Sequence, residues 1–426
     1  MRQKILLILF LKHLKKKMKI NNIFIKKYWV ELALGIILFF SFLIRLYSLG
    51  KIGDMIFDEV YFVQFSRNYL TGTEFFDIHP PLGKLIMAAT FKYLGDTSFT
   101  WRIGQAVVGT LLILLAYLTG KELKSKITGL LTALVLALDG MILVYSRVGL
   151  LDIYLSFFIL LCFYLFLKYT KNQKIIYLIL AGVALGLAGS IKYIGALVFV
   201  ILILTAIIKK ISIKENIGKY LVFLIIIPSV IYTSFFLFNF QGPDFYRQVI
   251  DWHSQSFNYN ITLKETHPYG SKWWSWFLLL RPIWLYFKDI DGKLVGVDGM
   301  GNPLAWWSSI VIIPMLIWGT FQGYYNKQKD GPINLILLCG FLVFLLCWAP
   351  FNRVLFYYHA LPSFLFLSLG IGYYLEKLSK INYGKYYLAI YILALAILFI
   401  YFLPIWIGVP LSSEAFYHKM WLKSWI

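Results

Sequence analysis

Two neighbouring acids, Asp58 and Glu59, stand in the stretch F-D-E-V-Y-F at residues 57–62, shortly after the first long apolar stretch of the chain. A carboxylate at this place could meet a substrate that arrives from the water or from the lipid. Ionisable residues beside apolar stretches are functional by default in membrane proteins. We therefore predict that Asp58 and Glu59 are catalytic residues. The alternative is that both acids cap an interfacial helix.

A second polar group follows in F-F-D-I-H-P-P-L-G-K at residues 75–84. The Pro-Pro pair stiffens the backbone, and Gly83 permits a close approach by another group. Asp77 and His79 are therefore candidate substrate-binding residues. It is equally plausible from the sequence that they orient a site without touching the substrate.

Several charged residues lie inside apolar stretches or at their ends. Unpaired charge near lipid costs on the order of several kcal/mol, so these side chains must pair with each other or bind a charged ligand. A group of Arg and Lys could hold a phosphate, for which Arg offers two parallel hydrogen bonds. Structural ion pairs, such as one between Arg147 and Asp152, are the alternative. The substrate-binding candidates of this kind are Arg45, Arg102, Arg147, Asp152, Lys192 and Arg353, and Asp139 has a similar setting.

The second half of the chain contains motifs that are rich in aromatic residues. Clustered Trp and Tyr are common where a membrane meets water, and that explains most of them. His267 and His359 lie within these motifs and are further candidates for substrate binding. The motifs are T-H-P-Y-G-S-K-W-W-S-W at 266–276, L-R-P-I-W-L-Y-F at 280–287, G-N-P-L-A-W-W at 301–307 and N-R-V-L-F-Y-Y-H-A-L-P at 352–362.

The composition indicates the class of protein that carries these candidate residues. The 426 residues are 60% hydrophobic and 14% charged, with a mean hydropathy of +0.73. This indicates an all-α polytopic membrane protein and excludes a disordered chain, a nucleic-acid-binding module and an ordinary cytosolic enzyme. The three cysteines lie in apolar stretches and are expected to be core residues. No metal-binding pattern is compelling, although a divalent metal is left open.

Stretches of about 20 apolar residues predict transmembrane helices. Residues 82–94 are shorter and carry two lysines, so we expect an interfacial helix there. The eleven predicted spans are 29–49, 102–120, 127–145, 152–167, 175–189, 193–208, 220–238, 305–322, 333–348, 355–375 and 386–407.

The connections between these spans differ in charge and in length. Nearly all of the formal net charge of +21 falls on short connections on one side, together with residues 1–28. Positive connections mark the cytoplasmic side, so we predict a cytoplasmic N-terminus and a chemically active outer face. The predicted divisions are a basic segment 1–28, which starts at Met1 or Met18, a catalytic core 29–240 with an outer loop 50–101, a second outer loop 241–304, a four-helix region 305–407 and an outer tail 408–426.

The ordered motifs resemble those of the protein O-mannosyltransferases. The similarity rests on the Asp-Glu pair, on D-I-H-P-P-L-G-K, on R-V-G-L-L-D at 147–152, on H-P-Y-G-S and on the three later motifs, and it covers most of residues 29–407. It implies a glycosyltransferase of the GT-C class, with about eleven transmembrane helices and two structured outer loops. It also implies that mannose passes from a dolichyl or polyprenyl phosphate to Ser or Thr of a protein, with inversion by direct displacement. A Ser or Thr hydroxyl is a weak nucleophile at neutral pH and needs a base to take its proton. We therefore predict that Asp58 is the base and that Glu59 positions the acceptor or the sugar.

Two features depart from the family pattern. The second outer loop is too short for the soluble β-trefoil domain of the eukaryotic members, so the chain resembles the smaller prokaryotic ones, which reside in the plasma membrane. Ala360 stands where the family usually has Tyr, which puts sugar or acceptor contacts at that position in doubt.

Two other functions remain open from the sequence. A transferase of the same class could use a lipid or a cell-envelope glycan as its acceptor. A transporter would also have many spans and buried charges, but no internal repeat with paired broken helices is visible. The sequence does not decide whether two chains assemble.

Overall fold

The computed structural model describes residues 27–328 and 330–426. Most of the predicted basic segment 1–28, including the choice between Met1 and Met18, lies outside the described residues. The fold is predominantly helical, as the composition predicts. Helices α1 to α18 run in chain order over Lys27–Leu46, Glu59–Thr71, Leu82–Leu94, Thr100–Leu123, Lys126–Ala137, Gly140–Tyr145, Asp152–Asn172, Ile175–Ile191, Val198–Ile208, Ile213–Leu221, Ile227–Ser234, Phe245–Thr262, Pro303–Trp307, Ser309–Tyr325, Gly331–Leu346, Leu361–Leu378, Gly384–Ile407 and Ser413–Tyr417.

Long apolar helices confirm a multi-pass integral membrane protein. Six of them in the described part of the chain are long and apolar enough to cross a bilayer: α1, α4, α7, the run Ile213–Phe238, the run Pro303–Tyr325 and α17. Helices α5, α8 and α15 and the run Tyr193–Ile208 are apolar but shorter. Together with α16 these helices overlap every predicted span, while the number of crossings stays a prediction.

Two of the predicted spans are interrupted. The span 127–145 breaks at Asp139, whose Oδ1 accepts a hydrogen bond of 2.9 Å from the N–H of Ile142 and so caps α6. The span 355–375 becomes a regular helix only at Leu361, after a 3₁₀ turn at Tyr357–Ala360. The breaks are neighbours, because Trp306 donates to Asp139 and its ring lies 4.7 Å from that of Tyr357.

The second predicted outer loop contains a β-hairpin that we did not predict. Strands β1, Trp284–Ile290, and β2, Lys293–Asp298, pair antiparallel. Asp291 and Gly292 connect them with φ values of 53° and 75°. Two left-handed residues form the tight turn that Asp-Gly dipeptides favour, so the dipeptide was a signal that could have predicted the hairpin.

The two long predicted outer loops pack against each other. The hydroxyl of Ser256 in α12 donates to the carbonyl of Ile78 at 2.8 Å, directly before His79. On the hairpin, Tyr286 donates to the carboxylate of Asp54 at 2.8 Å. These contacts hold the first predicted loop against the second. They also keep the polar residues of the two loops near each other.

The segment 408–426 also packs against the second predicted outer loop. Trp425 is buried and donates from its ring nitrogen to the carbonyl of Leu279 at 2.6 Å. Arg281, from the R-P-I-W motif, donates to the carbonyls of Ser424 and Ile426 at 2.6 and 2.8 Å. Arg281 therefore fixes the tail to the second predicted loop.

Candidate active site

The adjacent carboxylates of Asp58 and Glu59 point into different surroundings. Phe57 has a φ of 51°, a rare conformation for a bulky residue, and α2 begins two residues later. This turn places the Asp58 side chain, half-buried, in a polar cluster. Glu59 is instead 0% exposed and points toward the inside of the helical bundle.

Glu59 accepts four hydrogen bonds. Its Oε1 accepts from Nε of Arg102 at 2.8 Å and from the N–H of Gly149 at 2.6 Å. Its Oε2 accepts from Nη2 of Arg102 and from the N–H of Ile56, both at 2.7 Å. Such a bidentate Arg-carboxylate pair with further backbone donors is the arrangement that makes buried charge tolerable.

Arg102 is equally occupied. Its Nη1 donates to the carbonyls of Leu49 and Ile52 at 3.2 and 2.7 Å, and its Nη2 donates to that of Asp54 at 2.9 Å. All five N–H donors of the guanidinium therefore bind protein acceptors. The geometry favours a positioning role for this Glu59–Arg102 clamp over the predicted contacts with sugar and phosphate.

Asp58 lies close to Lys192, Asp152 and Asp77. Burial raises the pKa of Asp58 to about 6, Lys192 lowers it, and Asp152 and Asp77 raise it further. A carboxylate with a pKa slightly below neutrality is mostly deprotonated at pH 7 and still a stronger base than an ordinary aspartate. The surroundings of Asp58 therefore suit proton acceptance.

Asp77 is engaged by a residue that sequence reasoning missed. The buried ammonium of Lys84, the last residue of H-P-P-L-G-K, forms an ion pair with Asp77. It also donates to the carbonyl of His79 at 2.6 Å. Burial lowers the pKa of Lys84, while Asp77 raises it. Lys84 thus lies under the loop that carries Asp77 and His79. A lysine so close to these two residues in the sequence was the signal that could have predicted this ion pair.

His79 is half-buried beside this ion pair, with its ring 5.9 Å from that of Phe62. Burial and then the charges of Lys192, Lys84 and Arg353 hold its pKa well below the usual range. A neutral imidazole can donate or accept one hydrogen bond at each nitrogen without competing for the proton of Asp58.

Asp152 and Lys192 form the second ion pair of the cluster. The Lys192 ammonium lies 2.8 Å from Oδ1 of Asp152 and 5.4 Å from the centre of the Tyr358 ring. Asp152 therefore pairs with Lys192, and the alternative pairing with Arg147 is not the one formed. Tyr358, which sequence reasoning also missed, could have been found as part of the Y-Y-H motif.

Arg45 and Arg147 are directed at α1 rather than at this cluster. Arg147 donates from Nη1 to the carbonyls of Ile44 and Arg45 at 2.7 and 2.8 Å. Arg45 is fully buried and donates to the carbonyl of Ser41 at 2.9 Å. Within the described residues neither arginine forms an ion pair, and Nε and Nη2 of Arg45 are buried without a hydrogen-bond partner. The role of both residues in phosphate binding stays a prediction.

The remaining candidates come from the second half of the chain. Arg353 donates to the side-chain oxygen of Asn260 and contributes charge at His79. His359 stacks on Tyr358 with ring centres 4.5 Å apart, and its Nδ1 lies 2.8 Å from the carbonyl of Phe356. His267 is exposed, with its ring 6.4 Å from that of Phe57. All three thus border the Asp58 region.

The G-N-P-L-A-W-W motif has a structural role. Oδ2 of Asp139 accepts hydrogen bonds from the N–H of Asn302 and from the ring nitrogen of Trp306, both at 2.9 Å. The side-chain amide of Asn302 donates to the carbonyls of Leu138 and Leu395 at 2.9 and 3.0 Å. Asp139 therefore joins the helix break to the second half of the chain.

Two cavities are lined by residues that neighbour the cluster in sequence or in charge. An apolar one of about 880 Å³ lies between α8, α11 and α12 and is lined by Tyr193, the residue after Lys192. A polar one of about 380 Å³ is lined by His267 and Arg353. In the described ranges, no three His, Cys, Asp or Glu residues converge as metal ligands.

Two family models match this chain in succession. The model described as dolichyl-phosphate-mannose-protein mannosyltransferase matches residues 35–242. The model described as the C-terminal four-TMM region of protein-O-mannosyltransferase matches residues 245–425. Between them they cover nearly all of the described chain, including every candidate residue named above.

Curated relatives carry the same description. A polyprenol-phosphate-mannose–protein mannosyltransferase of Corynebacterium glutamicum is 25% identical, over 82% of this chain and 81% of that protein. One from Mycobacterium tuberculosis is 22% identical, over 92% of this chain and 91% of the relative. Dolichyl-phosphate-mannose–protein mannosyltransferase 1 of Saccharomyces cerevisiae is 32% identical, over 50% of this chain and 30% of its own length.

Solved structures show the fold. The S. cerevisiae protein O-mannosyltransferase Pmt1-Pmt2 complex bound to the sugar donor gives a TM-score of 0.82 at 18% identity, over 93% of this chain and 92% of that chain. ArnT from Cupriavidus metallidurans in the apo state gives 0.59 at 13% identity, over 90% and 73%. The GT-C fold is thus confirmed, and this chain belongs to the dolichyl-phosphate-mannose–protein mannosyltransferase family.

Proposed function

We propose that the protein transfers mannose from a dolichyl or polyprenyl phosphate to Ser or Thr hydroxyls of proteins, with Asp58 as the base. One observation carries the proposal: Asp58 is a carboxylate with a raised pKa that lies near the charge of Lys192 and near the ion pair between Lys192 and Asp152. The relatives named as protein mannosyltransferases favour a protein acceptor over a lipid or glycan acceptor and over transport.

The reaction that fits these groups is a single displacement. The acceptor oxygen forms a bond to C1 of mannose while the bond from C1 to the phosphate oxygen breaks, so the sugar inverts. The hydroxyl proton passes to Asp58, and the electron pair of the broken bond leaves with the polyprenyl phosphate. A phosphate leaving group needs charge stabilisation more than protonation, and Lys192 and Arg353 supply positive charge there.

The apolar cavity suits the hydrocarbon chain of the donor. Its lining is predominantly aliphatic and aromatic, and it contains a hydrogen bond of 2.7 Å between Tyr232 and His253. Because Tyr193 lines it and Lys192 points to Asp152, a chain in the cavity would bring its phosphate to the cluster. The charge pattern of the connections supports a cytoplasmic N-terminus and an active site on the outer face.

Purified protein tests the proposal directly. Polyprenyl-phosphate mannose and a peptide with one Thr should give a peptide heavier by one hexose, as read by mass spectrometry. The Asp58→Asn variant, purified in the same way, should give no detectable product in the time in which the parent protein converts the peptide. Transfer to lipid or glycan acceptors but to no peptide would overturn the proposal.

A further inference from the structure

The polar cavity lined by His267 and Arg353 is a groove between two segments of the second half of the chain. Residues 263–267 and 270–273 form one wall and residues 349 and 351–355 form the other. The N–H of Ser271 donates to the carbonyl of Leu355 at 2.8 Å and joins the walls. A Cβ on Gly270 would lie 3.1 Å from a methyl group of Val354, which explains the glycine in H-P-Y-G-S.

One lining residue of the groove, His267, lies near the residue that precedes the proposed base. Phe57, which directly precedes Asp58, has its ring 6.4 Å from that of His267 and 5.9 Å from that of Phe356. The rings of His267 and Phe356 are themselves 5.1 Å apart. A chain that lies in the groove would therefore pass close to Phe57, the residue that directly precedes Asp58.

The charged lining of the groove is unbalanced. Lys264, Lys272 and Arg353 face one acid, Glu265. Lys264, Glu265 and Lys272 are exposed, and within the described residues none of the three forms an ion pair. Arg353 is held by the side chain of Asn260. The exposed charged residues that line the groove are thus two lysines and one glutamate, which favours an acidic ligand.

We propose that this groove binds the acceptor polypeptide in an extended form and favours acceptors with Asp or Glu beside the modified Ser or Thr. This inference rests on the proposed function and adds the acceptor site and its charge preference. A narrow polar groove suits a solvated polypeptide better than a hydrocarbon chain, for which the separate apolar cavity is available. Complementary charge at a binding surface selects partners even where it adds little affinity.

Three peptides of equal length measure the preference. Each has one Thr, flanked by Asp, by Ala or by Lys, and each is assayed with the same polyprenyl-phosphate mannose. We expect the lowest KM for the acidic peptide and the highest for the basic one, with similar kcat, because the flanking charges act on binding. Higher ionic strength should reduce the difference.

Charge reversal in the groove tests its location. The double variant K264E/K272E should raise KM for the acidic peptide about tenfold and lower it for the basic one. K293E is the matched control, because Lys293 is an exposed lysine of the hairpin that does not line the groove. It should leave the order of the peptides unchanged.

Each outcome has a distinct meaning. Equal KM values for all peptides in both the parent protein and the double variant would overturn the groove proposal and leave the proposed function standing. An unchanged order of KM values in the double variant would place the acceptor elsewhere. Transfer to no peptide, but to a soluble glycan, would overturn the proposed function itself.

Discussion

The Glu59–Arg102 clamp and the cluster around Asp58 are built from adjacent residues but differ in how fully their polar groups are bonded. In the clamp, Glu59 accepts four hydrogen bonds and Arg102 uses all five donors. In the cluster, Asp58 is half-buried among charges of both signs. Although it stands at the start of α2, its side chain makes no capping hydrogen bond to that helix. The carboxylate of Glu59 is thus fully bonded within the protein, whereas that of Asp58 is available for the proposed role as base.

The difference follows from the partners of each acid. Glu59 supplies the counter-charge of a buried guanidinium, that of Arg102. Protonation of Asp58 costs little, because burial already disfavours its charged form and brings its pKa to about 6. The raised pKa of Asp58 beside the fixed Glu59–Arg102 clamp suits the proposed transfer of a proton to Asp58.

The largest effect is expected for Asp58→Asn. The amide has nearly the same shape but cannot accept the hydroxyl proton, so mannosyl transfer should fall by about 10²–10⁴-fold. Initial rates of peptide mannosylation measure the loss, and the Tm should stay close to that of the parent protein. Asp244→Asn, at an exposed acid of the second predicted outer loop, is the control. Near-parental transfer by the Asp58 variant would refute its role as base.

Arg102→Met should act on stability instead. It leaves Glu59 buried without its partner, which costs about 3–5 kcal/mol in comparable buried pairs. Thermal unfolding in detergent measures the loss. The double variant Arg102→Met/Glu59→Gln should recover part of it, because the uncompensated charge is gone. A single variant of normal stability with weakened donor binding would instead make Arg102 the phosphate ligand that the sequence suggests.

The positions of the helices could be predicted from the sequence because apolar runs in a membrane protein are long and have sharp ends. The breaks at Asp139 and before Leu361 could not, since they depend on partners far along the chain such as Asn302 and Trp306. The hairpin was missed because aromatic residues in β1 were attributed to the membrane interface.

The candidate site could be predicted as a set of residues but not as a set of contacts. Asp58, Asp77, His79, Asp152 and Lys192 come together as electrostatic neighbours. Spacing alone could not separate acids that are already paired from one that is not. The contacts of Arg102 could not be predicted either. Its three backbone acceptors lie in the loop after α1, and an irregular loop has no sequence periodicity from which its path can be inferred.

The dependence of the reaction on pH should show which acid titrates. If Asp58 is the base, transfer should rise with pH through about 6 and then level off, because only its deprotonated form accepts the proton. Lys192→Met removes a nearby positive charge that lowers this pKa, so the acid limb should move up by about one pH unit. Rates for peptide transfer between pH 5 and 8 measure the shift. Lys293→Met should leave the limb in place, and an unmoved limb in the Lys192 variant would separate that lysine from Asp58.

The smallest effect on the kinetics is expected for removal of the Tyr358 hydroxyl, because the known contacts of this residue are made by its ring. The Tyr358 ring lies 5.4 Å from the Lys192 ammonium and stacks on His359 at 4.5 Å. Tyr358→Phe keeps both contacts, so kcat and KM for the donor should change less than about threefold. Tyr358→Ala removes the surface on which the lysine rests, and a cation–π contact of about 1–2 kcal/mol then predicts a five- to thirtyfold rise in KM.

Steady-state kinetics on this pair of variants distinguishes the ring from its oxygen. An equal loss in both would assign the effect to the hydroxyl and would add Tyr358 to the groups that exchange protons with Asp58. A loss confined to the alanine variant would mean that the cluster holds Lys192 by packing, as the clamp holds Glu59 by hydrogen bonds. The two regions would then differ in the kind of contact that fixes their charges, with only Asp58 left free to react.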